Sequence, residues 1–86
     1  MPRVCEFDGI EIYMYHDHHP WPHFHVLYAE FSCSVRIDTL EPSGFLPPQI
    51  ARKVRRWAEL RRAELMDNAR RAERFDTLLR IEPPKR

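Results

Sequence analysis

The sequence predicts an α+β fold, with an antiparallel sheet of about four strands in its N-terminal half packed against one or two C-terminal helices. Three observations carry this. Short runs of alternating apolar and polar residues fill positions 3–38, and apolar residues at helical spacing take over after Pro47-Pro48. The charge changes sign at the same place: residues 1–46 hold two arginines against seven acids, a net −5, and residues 47–86 hold twelve arginines and lysines against six acids, a net +6. A length of 86 residues predicts one domain, with 1–46 as its sheet part, 47–76 as its basic helical part and 77–86 as a tail.

The elements follow in order. Residues 3–7 read as a first strand, and Asp8-Gly9 is a strong hairpin-turn pair. Residues 10–16 set Ile10, Ile12 and Met14 against Glu11, Tyr13 and Tyr15, the pattern of a half-buried strand. Pro20 and Pro22 exclude regular structure from 17–22, because each lacks a donor and restricts the residue before it. A third strand is expected over 23–29 and a fourth over 31–38, with Cys33, Val35 and Ile37 on one face. Residues 39–46 read as a loop with a short fifth strand at 44–46 as an option. Pro47-Pro48 opens a helix, and Ile50, Val54, Trp57, Ala58 and Leu60 form its apolar stripe. Arg61, Glu64 and Asn68 interrupt that stripe, so a break is expected near 61–64, followed by a second helical segment to about Phe75; a single long helix is the alternative. Leu78, Leu79 and Ile81 suggest a short strand in the tail.

Composition narrows the function classes. No apolar run is long enough for a bilayer span, and Met1 to Gly9 carries Glu6 and Asp8 without a hydrophobic stretch, so neither a membrane partner nor a signal peptide is expected and a cytoplasmic location is. Cys5 and Cys33 lie in strand-like runs and lack C-x-x-C spacing, which predicts two buried, reduced thiols. A chain of this size buries only about 60–65% of its unfolded surface, so a homodimer or a hetero-oligomer is expected.

Two constellations carry candidate chemistry. All five histidines fall between His16 and His25, and strand alternation puts His23 and His25 on one face with Phe24 on the other. The proline turn can bring His19 over that face. His23, His25 and His19 are therefore the candidate catalytic residues, because imidazole is an acid and a base near neutral pH. The same three are the candidate ligands of a divalent metal, although no cofactor is required. The plainer alternative is that these rings cap the loop. Tyr13, Tyr15 and Tyr28 offer polar tips nearby, or simply pack a sheet. The second constellation is the arginine-rich helix. Arg52, Arg55, Arg56 and Arg62 project mostly away from the apolar stripe and are the candidate nucleic-acid contacts, or a docking face for an acidic partner; a solvated outer face with i,i+4 ion pairs is the alternative.

Met1-Pro2-Arg3-Val4, then Gly9-Ile10-x-Ile12-x-Met14-Tyr15, then His19-Pro20-x-Pro22-His23-Phe24-His25 and Tyr28, resemble the bacterial family known as domain of unknown function 4160. Leu46-Pro47-Pro48, Val54-Arg55-x-Trp57, Glu59-Leu60, Glu64-Leu65 and Ile81-Glu82-Pro83 continue the resemblance along nearly the whole chain. It implies one half of a small two-gene module of toxin–antitoxin type, with the product of the adjacent gene as partner, and it brings no established activity. His16 and His18 lie outside the family's motif. Trp21 stands where the family usually has proline, and Arg61 and Ala69 stand where histidine and tryptophan are expected, which puts in doubt any site that needs the helical histidine.

Three functions follow as expectations. The first is a toxin-like subunit acting on RNA, a nuclease-like hydrolase with His23 and His25 as acid and base, His19 assisting, and the arginines holding phosphates. The second is a non-enzymatic module that binds a protein or a nucleic acid, as an antitoxin or regulator does. The third is a metal-binding protein built on His19, His23 and His25.

Overall fold

The computed structural model describes residues 3–16 and 21–85. Five strands come first: β1 (Arg3–Phe7), β2 (Ile10–Tyr13), β3 (His23–Tyr28), β4 (Phe31–Arg36) and β5 (Pro42–Gly44). They form one antiparallel sheet in the order β1-β2-β3-β4-β5, each strand pairing with the next in sequence. Two helices follow, α1 (Pro48–Leu60) and α2 (Arg62–Glu73). The fold is the expected α+β arrangement, with a fifth strand that falls two residues earlier than anticipated.

Local chemistry explains the turns. Asp8 and Gly9 both have positive φ, 52° and 77°, which is the backbone of a two-residue hairpin loop matched to strand twist. Ala29, between β3 and β4, also has φ 52° but lacks a glycine's freedom. At Gly44 φ is 119°, and an added Cβ would stand 2.8 Å from the Ser32 carbonyl oxygen, so β5 approaches β4 at a distance that only glycine permits.

Register sets what each face carries. On the inner face, Cys5, Ile12, Val26, Cys33 and Gly44 lie in one cross-strand row, and Phe24, Val35 and Pro42 in another. A bulge between Arg3 and Cys5 turns both Val4 and Cys5 inward. The two thiols are free and buried, with two strands between theirs, about 14 Å apart at normal strand spacing and far beyond disulfide reach. Burial pushes both thiols above their ordinary pKa.

The helices cover this inner face. Pro47 ends the loop in an extended conformation and Pro48 occupies the first turn of α1, where its missing N–H costs nothing. Ile50, Val54, Trp57 and Ala58 are buried, and the Trp57 ring meets Phe7 at 5.7 Å and Phe24 at 6.0 Å between centroids. The expected break falls at Arg61 (φ −112°, ψ 19°), whose N–H reaches back to the Trp57 and Ala58 carbonyls. α2 then presents Leu65, Asn68 and Ala72 to the core.

Asn68, which looked like an interruption of the stripe, is 1% exposed. Its side chain donates to the Leu79 carbonyl at 2.8 Å and accepts from the Leu79 N–H at 2.9 Å, so one amide serves both backbone groups of the tail. The tail is not the expected strand, but it is fastened along its length. The Ile81 N–H donates to the Val4 carbonyl at 2.8 Å, and the Trp57 indole N–H donates to the Glu82 carbonyl at 2.8 Å. One hydrophobic cluster thus joins sheet, helices and tail, from Val4 to Ile81.

Candidate functional site

The helices occupy one face of the sheet, and the other face carries the histidines. Along β3, Phe24 and Val26 point into the core while His23, His25 and Leu27 point out. Pairing places Tyr13 of β2 and Ser34 of β4 on either side of His25, and Arg36 of β4 beside His23. The His23 and His25 rings stand edge to face with centroids 4.9 Å apart. Tyr15 meets His25 in the same way at 4.9 Å and lies parallel to Tyr13 at 6.1 Å. Four rings therefore run in a continuous band across two strands, and His25 Nε2 is shielded from solvent inside it.

Polar contacts fix the ends of the band. His23 Nδ1–H donates to the Trp21 carbonyl at 3.3 Å. The Arg36 guanidinium lies 4.9 Å from the centroid of the Trp21 ring and grips Asp38 with two hydrogen bonds, one of 2.9 Å. That grip holds the Asp38 carboxyl below the usual carboxylate range and raises Arg36. At the other end the Tyr13 hydroxyl donates to Glu11 at 3.0 Å, and the carboxylate raises the phenol's pKa. Arg3 pairs with Glu6 at 3.2 Å and Glu11 at 3.4 Å. The charges of this face are thus paired with one another.

The other predicted residues fall elsewhere. His18 and His19 lie outside the described residues, so the third member of the catalytic and metal sets has no position here. Among the described residues no group of three His, Cys, Asp or Glu side chains is placed to hold a metal ion. His16 donates from Nε2 to the Asp76 carbonyl at 2.8 Å and stacks on Phe75, fastening the exit of β2 to the end of α2. Tyr28 faces the core side with Ile10 and Phe31, away from the histidines. Arg36 was missed as a neighbour of His23. Its proximity depends on cross-strand register, which residue types alone do not reveal.

Arg52, Arg55, Arg56 and Arg62 are exposed as expected. Arg55 pairs with Glu59 at 3.5 Å, while Arg52, Arg56 and Arg62 make no ion pair among the described residues. They do not stand beside the histidines. The inner side of α1 rests on Phe24 through Trp57, and His23 and His25 point the opposite way from the same strand. The sheet and the buried side of α1 lie between the two constellations, so the arginines of one chain do not converge on the imidazoles of that chain. No helix among the described residues is long and apolar enough to cross a membrane.

No curated protein matches the chain, and no solved structure does. A family model does match, over residues 9–68, a span that holds the ring band, strands β2 to β5 and all of α1. The chain belongs to the family described as Domain of unknown function (DUF4160).

Proposed function

We propose that the chain is a non-enzymatic binding module of a two-gene bacterial system, and that the product of the neighbouring gene covers the open face of its sheet. The carrying observation is the band of Tyr13, Tyr15, His25 and His23 on the face that no helix covers. Aromatic side chains and arginine dominate the energetic centres of protein interfaces. The charges on this face compensate each other, which suits a protein surface and leaves no surplus of cations for phosphates. The test is co-expression with the genomic neighbour. A stable complex is expected, and Tyr15→Glu with Leu27→Glu should weaken it more than about tenfold, a loss of about 1.4 kcal/mol or more. A chain that stays monomeric beside its neighbour overturns the reading.

A second reading keeps the histidines as reagents of a toxin-like subunit, and the 4.9 Å separation of the two rings favours it. One imidazole would take the proton of an RNA 2′-hydroxyl as that oxygen attacks phosphorus, and the other, as imidazolium, would protonate the departing 5′-oxygen; His25 would have to act through Nδ1, because its Nε2 is shielded. If His23→Ala with His25→Ala leaves growth inhibition by the expressed protein intact, the pair is not catalytic. Zinc analysis of untagged protein after dialysis against zinc tests a metal on His19, His23 and His25; substoichiometric zinc excludes it.

A further inference from the structure

On the helix layer, away from the histidine face, a groove of about 530 Å³ runs between the second half of α1, the Asp8 turn and the tail at Pro84. Its floor is apolar, made by Phe7, Trp57, Leu60 and Pro84. Leu60, at the end of α1, is 75% exposed, so its side chain is open to an incoming apolar group. The rim is cationic: Lys53, Arg56, Arg61 and Lys85 line it against the single carboxylate of Asp8. Lys53 is engaged by Asp8 at 3.2 Å, and Arg61 by Glu64 at 3.2 Å and Glu82 at 3.8 Å. Arg56 and Lys85 line the groove beside the exposed leucine, and neither has an ion pair among the described residues.

We propose that this groove docks an acidic peptide segment of a partner protein, with one bulky apolar side chain set against Leu60 and Pro84 and carboxylates paired to Arg56 and Lys85. Charge complementarity selects the sign of the occupant. The floor selects a peptide over a nucleic acid. The Trp57 and Phe7 rings are almost entirely buried, and the indole N–H is already used by the Glu82 carbonyl, so the groove offers neither an open stacking face nor a free floor donor for a base. An aliphatic wall beside unpaired cations is the complement of an apolar anchor between acidic neighbours.

The proposal is independent of the sheet-face reading, because the two surfaces lie on opposite layers. It is tested on the full chain by amide and indole NMR titration. The probe is a short peptide with a central Leu-Phe pair between runs of Asp and Glu. A lysine-substituted peptide and a short single-stranded RNA are the controls. Shifts are expected at Lys53, Arg56, Leu60 and the Trp57 indole N–H. Arg56→Glu with Lys85→Glu should weaken the peptide at least about tenfold, and raising salt from about 50 to about 500 mM should weaken it as well. Leu60→Asp should do the same, whereas His23→Ala with His25→Ala should leave the affinity unchanged. All three groove positions are exposed, so the variants are expected to fold. The proposal falls if the acidic peptide moves none of these signals, if the charge reversals leave its affinity intact, or if the RNA shifts the same signals in preference to it.

Discussion

The two faces of β3 make opposite demands on the chain. Phe24 and Val26 are fully buried under Trp57 and its neighbours, and they hold the sheet to the helices. His23 and His25, one residue away on the same strand, point to the opposite face, where their rings meet each other, His25 meets Tyr15 and His23 bonds the Trp21 carbonyl. The inner residues are there because the core requires them. The outer ones do not enter that core, and the partner proposed above would meet them there.

Trp57→Ala gives the largest break between the faces. It removes the ring against Phe7 and Phe24 and the hydrogen bond to Glu82, and should cost about 3–5 kcal/mol, read from urea denaturation. A chain of this length has a total stability of only about 4–13 kcal/mol, so the variant will be partly unfolded at ambient temperature if its margin is small. Asn68→Ala should come next, at about 2–3 kcal/mol, because both backbone groups of Leu79 lose their partner. Hydrogen exchange should show faster loss of the Leu79 and Ile81 amides while the β3 amides stay protected. On the other face, His23→Ala with His25→Ala should cost less than about 1 kcal/mol in the same denaturation experiment. A cost as large as that of Trp57→Ala would mean the outer band is structural, and the contrast would collapse.

The smallest effect is one of pH. Arg71 holds the Asp67 carboxyl below its ordinary range, as Arg36 does for Asp38. A lowered folded-state pKa gives stability that is present above the ordinary carboxylate value of about 3.9 and fades as the pH falls through the lowered one. Asp67→Asn should therefore make the stability curve less steep on the acid side below about pH 4, and leave it nearly unchanged at neutral pH apart from the lost surface pair.

Local periodicity made much of this architecture legible. Alternation placed β1 to β4, Asp8-Gly9 marked the first turn, and the clash of Arg61 with the apolar stripe located the helix break. The shared face of His23 and His25 was equally legible, since it depends only on a period of two. Features that depend on distant partners were hidden. Tyr28 was grouped with the histidines because it shares their strand, yet its odd spacing from them turns it inward. Asn68 read as a polar gap, because nothing local shows that Leu79 returns to meet it. The relation of the basic helix to the histidines was also out of reach, since it depends on which side of the sheet the helices cover.

The fastening of the tail has a consequence for how the chain behaves in a crowd of its own copies. β1 is the terminal strand of the sheet, and terminal strands invite pairing by other chains. The Ile81 N–H already takes the Val4 carbonyl, and Asn68 keeps Leu79 in place alongside. At the opposite end β5 is three residues long and begins with Pro42, which has no hydrogen to donate. Both margins of the sheet are therefore poorer templates for extension, and releasing the tail would free the Val4 carbonyl and open the β1 margin to pairing by other chains.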